Sequence, residues 1–480
     1  MLILILIPLL AGIITAFLRG ENAKKIAFGF ALTEFAVSLY YVANFNSTQG
    51  LQFVTNVPWI KTLGINFYVG VDGISILLVL LTTLLVPFII LSTWGKDYKN
   101  PATFSALILF MESALVGVFT AQDAFLYYLF WEAALIPVYF LAAIWGGENR
   151  IQVTFKFFIY TVFGSLFMLI SLIYLYLQTP LPHTADIAAY TKLNLTPEVQ
   201  SYLFWGLFIA FAIKMPIFPF HTWQPDTYTI APTPATMLLS GIMLKMGIYS
   251  LFRWLLPIVP KGVEMWATPV IILAIIGIVY GAIIAIRQQD MKRLLAYSSF
   301  SHVGLMAAGV FCLNAQALQG ALVQMLAHGI NVVGLFYVVE LIYQRTNSRQ
   351  INELGGITQT TPILTVYFTI LLLGSVALPL TNGFVGEFLL LSGLFQKNVW
   401  LAAVAGLTII FGAVYMLRMF QGVMFGEKTE HTQNIKDLSL TENLVLLPLV
   451  ILVFWIGMYP STFLNLTEPA VQAMLKAITK

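Results

Sequence analysis

Again and again along this chain, about twenty mostly apolar residues run together before a short polar stretch intervenes. A helix needs about 20 such residues to cross a hydrocarbon core. A chain patterned this way is read as crossing a bilayer many times. About fourteen runs qualify: 1–18, 25–45, 71–94, 102–120, 122–145, 152–178, 202–222, 232–257, 266–286, 291–313, 316–344, 361–396, 399–424 and 440–460. The run 361–396 is too long for one straight helix. Pro379, Asn382 and Gly383 lie in its middle, so it is read as one broken span. The expected fold class is an all-α polytopic membrane protein with about 14 transmembrane helices.

Composition closes the alternatives. Hydrophobic residues make up 59% of the chain and charged residues only 9%, where soluble domains carry about 25% charged residues. Disorder requires low hydrophobicity and high net charge. A net charge of +3 is too small and too diluted to imply a nucleic-acid partner. The single cysteine, Cys312, excludes a disulfide framework and any CxxC-type zinc or iron–sulfur site. No metal site and no cofactor site are expected, since neither a nucleotide-binding glycine motif nor a redox motif is present. The opening MLILILIPLLAGIITAFLRG has no basic leader and no small-residue cleavage pattern, so it is read as a retained first helix.

Orientation follows from the Lys/Arg bias of the loops. Loops after odd-numbered runs hold Arg19, Lys24, Lys25, Lys96, Lys99, Arg150, Arg287, Lys292, Arg293, Arg345, Arg349, Lys428 and Lys436, thirteen residues. Loops after even-numbered runs hold five: Lys61, Lys192, Arg253, Lys261 and Lys397. The odd loops are therefore expected in the cytoplasm or its organellar equivalent, with both termini on the periplasmic side.

A charge at the bilayer centre costs at least about 2.5–3.5 kcal/mol on insertion scales. Against that cost stand Glu132 in the fifth run, Lys214 in the seventh, Lys245 in the eighth and Glu387 in the second half of the twelfth. Lys156, His302 and His328 join them in the sixth, tenth and eleventh runs, with Glu112 and Glu340 as weaker members. Bland readings exist for some. Lys156 lies near a helix end and can snorkel. His302 can be a hydrogen-bonded packing residue. Glu340 and Glu112 can sit at an interface. Four central charges of both signs suggest pairs in a buried polar file.

Broken helices sharpen this reading. Lys214 is followed by Pro216 and Pro219, and each proline removes a helical hydrogen bond. The twelfth run breaks around Pro379–Gly383, just before Glu387. Irregular backbone at membrane depth survives only where protein or water satisfies it. Two interrupted helices five spans apart suggest an internal repeat, inverted because five is odd. The expected organisation is 1–100 (helices 1–3), 101–258 (first five-helix repeat), 262–426 (second, inverted repeat) and 427–480 (helix 14 and tail). Moving a carboxylate towards or away from a buried lysine would switch that lysine between holding and releasing a proton. Glu132 beside Lys214 is the expected switch, Lys245 with His302 or His328 the lateral path, and Glu387 the exit.

The stretch FAIKMPIFPFHTWQPDTYTIAPTPATMLLSGIMLKMGIY at 211–249 resembles the core of the antiporter-like proton-translocating subunits. These occur in respiratory complex I (NADH:quinone oxidoreductase) and in multisubunit Na+/H+ antiporters. FWEAALIPVYFLAAIWGG at 130–147, RQQDMKRLLAYSSFSHVG at 287–304, MLAHGINVVGLF at 325–336 and LPLTNGFVGEFLLL at 378–391 resemble further blocks of the family. The likeness covers about 100–425. It implies proton-path roles for Glu132, Lys156, Lys214, Lys245, His302, His328 and Glu387. A glutamate at 387, where siblings usually carry lysine, and a short C-terminal tail resemble the M-type (subunit 4) branch.

That resemblance implies a proton-translocating membrane-arm subunit of an NADH dehydrogenase, with no redox centre in this chain. NADH, FMN, iron–sulfur clusters and quinone (ubiquinone or another) would belong to partner subunits. The expected partners are other membrane-arm subunits, especially sibling antiporter-like subunits on either side, and the lipid bilayer. The expected location is a bacterial plasma membrane, with an organellar inner membrane as the alternative. Competing readings are a subunit of a Na+/H+ antiporter working without redox chemistry, the same module in a membrane-bound hydrogenase, and a passive scaffold.

Overall fold

The computed structural model describes residues 1–433 and 435–478. Helix dominates, because a span in lipid must satisfy every backbone N–H and C=O internally. In chain order the first half holds α1 (Leu2–Ala16), α2 (Glu21–Ala43), α3 (Ile76–Leu91), α4 (Pro101–Thr120), α5 (Ala124–Trp145) and α6 (Arg150–Gln178). Then come the half-helices α7a (Pro197–Lys214) and α7b (Trp223–Ile230), followed by α8 (Thr233–Leu255). The second half holds α9 (Pro260–Arg287), α10 (Met291–Val310), α11 (Ala315–Thr346), α12a (Pro362–Ser375), α12b (Asn382–Lys397), α13 (Val399–Met424), α14 (Leu440–Met458) and α15 (Ser461–Ile478). Each expected run carries a helix or a pair of half-helices. Among the described residues, nine helices are long and apolar enough to cross a membrane unaided, and α1, α3 and α12a are shorter apolar helices.

Polarity is distributed inside out. Lys214, Lys245, His302, His328 and Glu387 are each at most 4% exposed, while large apolar side chains such as Ile170, Tyr202 and Trp400 lie on the outside. α8 and α11 run through the centre and are almost wholly buried, whereas α2 and α14 leave most of their surface open. A helix that is apolar on its outer face and polar within is the arrangement lipid favours.

Four local features differ from the sequence expectation or add to it. The loop expected over 46–70 folds as an antiparallel hairpin of β1 (Gln52–Ile60) and β2 (Ile65–Val71), turned at Gly64 with φ 61°. The tail after α14 is a helix, α15, which buries Phe463, Thr467, Val471 and Met474 on one face and packs against α11. The twelfth span breaks at 376–381, slightly earlier than Pro379–Gly383. Gly383 is already inside α12b. A Cβ there would stand 2.1 Å from the Gly374 carbonyl oxygen, so this glycine lets the two half-helices approach. Finally, α5 bends at Ala134. Pro137 accounts for the bend, because its ring clashes with the carbonyl four residues back.

Candidate functional site

The first break puts a bare amine in the core. α7a ends on Lys214, and residues 215–222, with Pro216 and Pro219, turn irregularly before α7b. The Trp223 indole donates to the Ile213 carbonyl (2.9 Å), and the Ile217 amide donates to Ala212 (2.9 Å). These bonds satisfy backbone groups that the prolines release. The Lys214 side chain itself finds no hydrogen-bond partner among the described residues. Its Nζ lies 5.1 Å from the centroid of the Trp131 ring on α5. A desolvated cation over an indole face gains about 2 kcal/mol.

Glu132 is the residue after Trp131 and lies within electrostatic reach of Lys214. No ion pair joins the two among the described residues, so the expected Glu132–Lys214 pair is a neighbourhood rather than a contact. Glu132 is half-buried, and it lies on a face where Leu129, Ile136 and Phe140 are exposed. One of its carboxylate oxygens is buried without a partner.

The second break is built differently. Glu387 sits in the second turn of α12b, with Oε1 2.8 Å from His302 Nδ1 on α10. That is ion-pair distance, though the angle is off the hydrogen-bond line. The same oxygen accepts from Gln324 Nε2 of α11 at 3.3 Å. Gly386 makes room for this, since a Cβ there would meet Gln324. At the break, Asn331 and Asn382 exchange two amide hydrogen bonds of 3.0 Å, which pin the start of α12b to α11.

Lys245 connects the halves. α8 contains two π-helical turns, Leu239–Met243 and Leu251–Leu255. The first turn releases the Ser240 carbonyl, and Lys245 Nζ donates to it at 2.5 Å. The amine also lies 2.9 Å from His328 Nδ1. The His328 and His302 rings are 6.0 Å apart, centroid to centroid. Lys245, His328, His302 and Glu387 thus form one lateral file across four helices.

Lys156 lies outside that file. Residue 156 is less than two turns from the start of α6, so its long side chain reaches the surface. There Nζ meets Asp226 Oδ2 (3.1 Å) and the Thr222 carbonyl (3.0 Å), with the side chain 38% exposed. Asp226 also binds Arg293 of α10 (3.0 Å). Lys156 therefore fastens α7b instead of lining the core.

The sequence reading missed Gln324 and Asn331, and took Asn382 only as part of the break. The signal was present: Gln324, His328 and Asn331 recur every three or four residues on one face of α11. It also missed Glu34, which faces Glu112 from α2, both fully buried. Each carboxyl lacks any other partner, so a hydrogen bond between them requires a proton on one. Among the described residues no group of three or more His, Cys, Asp or Glu is placed to hold a metal ion.

Broken helices that carry buried charges side by side are the architecture of ion-translocating membrane proteins. The comparisons place the chain more closely. The family described as NADH:quinone oxidoreductase/Mrp antiporter, TM, matches residues 121–412. NADH-quinone oxidoreductase subunit M of Rickettsia conorii is 41% identical over 445 residues, 92% of this chain and 90% of that protein. A chain of respiratory complex I from Thermus thermophilus superposes with a TM-score of 0.92 at 31% identity, covering 99% of each chain. A chain of an Mrp complex from Dietzia superposes with a TM-score of 0.87, covering 100% of this chain and 98% of that one. At 20% identity this last likeness speaks for the fold alone. The chain belongs to the NADH:quinone oxidoreductase/Mrp antiporter membrane-subunit family, and it is an integral multi-pass membrane protein.

Proposed function

We propose that this chain is the M-type proton-translocating subunit of a complex I membrane arm, in a bacterial plasma membrane. Protons move through a file of Glu132, Lys214, Lys245, His328, His302 and Glu387, driven by electron transfer from NADH to quinone in partner subunits. The observation that carries this reading is the lateral file: Lys245 to His328 at 2.9 Å, His302 to Glu387 at 2.8 Å, and 6.0 Å between the two rings. A passive scaffold gains nothing from the insertion cost of these charges.

In this reading the chain makes fourteen crossings in two inverted five-helix repeats, 101–258 and 262–426. The broken pairs α7a/α7b and α12a/α12b hold equivalent places. Both termini lie on the periplasmic side. Lys214 is a mobile-charge site, whose proton affinity rises and falls as the Glu132 carboxylate is more or less available. Histidine suits the relay, since its ordinary pKa is near 6.5. Lys156 acts indirectly by holding α7b through Asp226. Each charge moved works against about 2.3 kcal/mol per 100 mV. NADH, FMN, iron–sulfur clusters and quinone belong to partner subunits, and sibling antiporter-like subunits flank this one. The exposed apolar surround of Glu132 supports such a neighbour on that side.

A second reading, a cation/proton antiporter subunit, draws on the Mrp-like fold. Glu387 and the higher identity to the complex I relatives favour the first. Affinity purification of the tagged chain in mild detergent separates them. NADH:quinone reductase activity with co-purifying flavoprotein and iron–sulfur subunits is the expected result. Small membrane partners without redox activity would move the chain to the antiporters.

A further inference from the structure

A helix that breaks in mid-membrane needs something to set where it restarts. The second break spans 376–381, and two of its residues, Ala377 (φ 57°) and Leu380 (φ 74°), take the left-handed backbone region that favours glycine. A bulky residue rests there only where its surroundings hold it. The Leu380 side chain cannot be the holder, since this residue is 64% exposed. The break's own backbone bonds run backwards. Val376 donates to Leu372 (3.0 Å), Leu378 to Leu373 (3.1 Å) and Thr381 to Leu378 (3.1 Å), all within the break or α12a. The first break, 215–222, contains no residue with positive φ. The second break is therefore the strained one, and its support comes from outside.

α14 supplies it. Gly457, in the last turn of α14, meets the break backbone to backbone. A Cβ there would stand 2.5 Å from the carbonyl carbons of both Leu380 and Thr381. Only a residue without a side chain allows that approach. One turn earlier the fully buried Val453 lies over the end of α12a, where a Cβ on Gly374 would stand 3.2 Å from its Cγ1. α14 thus grips the break on both sides. Thr381 is the residue before α12b, and Glu387 follows six residues later, about 9 Å along the helix. Over so short a length a helix moves as a rod, so a shift at its start is carried to Glu387 and its 2.8 Å contact with His302. At the first break the close approach is made by α8, where a Cβ on Gly247 would stand 2.7 Å from the Phe211 carbonyl oxygen. α8 carries Lys245, a member of the file. α14 carries none.

We propose that α14 is a clamp on the second break, with Gly457 as a positioning residue: by holding Leu380 and Thr381 it fixes where α12b starts and keeps Glu387 in register with His302. Gly457 touches no proton-carrying group and acts only through the backbone of α12b. A side chain at 457 pushes the break off α14 and lets Leu380 leave the left-handed region. α12b then turns or tilts, the His302–Glu387 contact lengthens, and a proton on His302 loses its acceptor. The effect on pumping rests on the relay reading of the preceding subsection. The geometric effect on α12b does not.

Gly457→Ala in the assembled complex tests it, beside a second-site partner. In hydrogen exchange of the purified complex, the amides of 381–390 are expected to exchange at least fivefold faster than in the parent, and those of α13 at the parental rate. Unchanged exchange at 381–390 overturns the proposal. In sealed inverted vesicles, acidification per NADH oxidised is expected to fall at least threefold. Glycine at 380 frees the carbonyl to turn aside, so Gly457→Ala with Leu380→Gly is expected to recover at least half of the parental acidification. No recovery overturns the proposal, because a general packing defect would not be cured at that residue. Should Gly457→Ala fail to assemble, assembly restored by Leu380→Gly supports the clamp and assembly not restored overturns it. Glu387→Gln is the control for the relay. Parental acidification in Glu387→Gln would sink the relay reading, and the exchange result would still decide the clamp. Parental acidification in Gly457→Ala beside an impaired Glu387→Gln overturns the clamp alone.

Discussion

The two broken helices carry the same device in opposite surroundings. At the first break, Lys214 has no hydrogen-bond partner among the described residues, with an indole ring beside it and Glu132 within electrostatic reach. At the second, Glu387 is gripped by His302 and Gln324, while an asparagine pair fastens the break itself. A buried group without partners is held weakly in its charged state, so small changes nearby move its proton. A group within a polar cluster is fixed in place, and removing it strands its neighbours. On the proposed relay, the difference would put the variable step at the first break and the stable terminus of the file at the second.

This contrast can be broken by substitution. Glu387→Ala leaves the Gln324 donor unpaired, removes the carboxylate beside His302 and opens a void. It is expected to cost about 3 kcal/mol, read as a lowered thermal midpoint of the detergent-purified complex. Asn382→Ala removes the amide exchange with Asn331 and is expected to cost about 2 kcal/mol by the same measurement. Lys156→Met removes a half-exposed ion pair worth about 0–1 kcal/mol. Its pumping rate is expected to stay within about twofold of the parent, a margin set by the small energy at stake. Lys214→Met is expected to leave the midpoint nearly unchanged, because the cost of burying the charge, which is removed, offsets the loss of the cation–indole contact of about 2 kcal/mol. A midpoint in Lys214→Met that falls as far as in Glu387→Ala would erase the distinction between the breaks.

Much of this was legible in the sequence. Long apolar runs located the helices, since a bilayer permits little else. Prolines and central charges located both breaks and the members of the file. Side-chain partnerships were less legible. Nothing in the sequence spacing says that Trp131 stands over Lys214, or that Lys156 turns outward to Asp226, because those outcomes depend on how helices are rotated about their axes. The π-helical turns of α8 leave no pattern in LLSGIMLK that sets them apart from an ordinary helix, yet one of them aims Lys245. The hairpin around Gly64 and the amphipathic α15 had weak local signals, overshadowed by the apolar runs. Glu34 was overlooked because its partner, Glu112, is 78 residues away.

The central claim is that Lys214 carries protons while contributing little net stability to the fold. Sealed inverted vesicles bearing the Lys214→Met complex test it, with NADH oxidation and vesicle acidification followed in one sample and the assembled complex quantified in another. Assembly at the parental level with acidification reduced at least tenfold, which is a barrier rise of about 1.4 kcal/mol or more, is the expected result. Acidification at the parental rate with the complex fully assembled would contradict it.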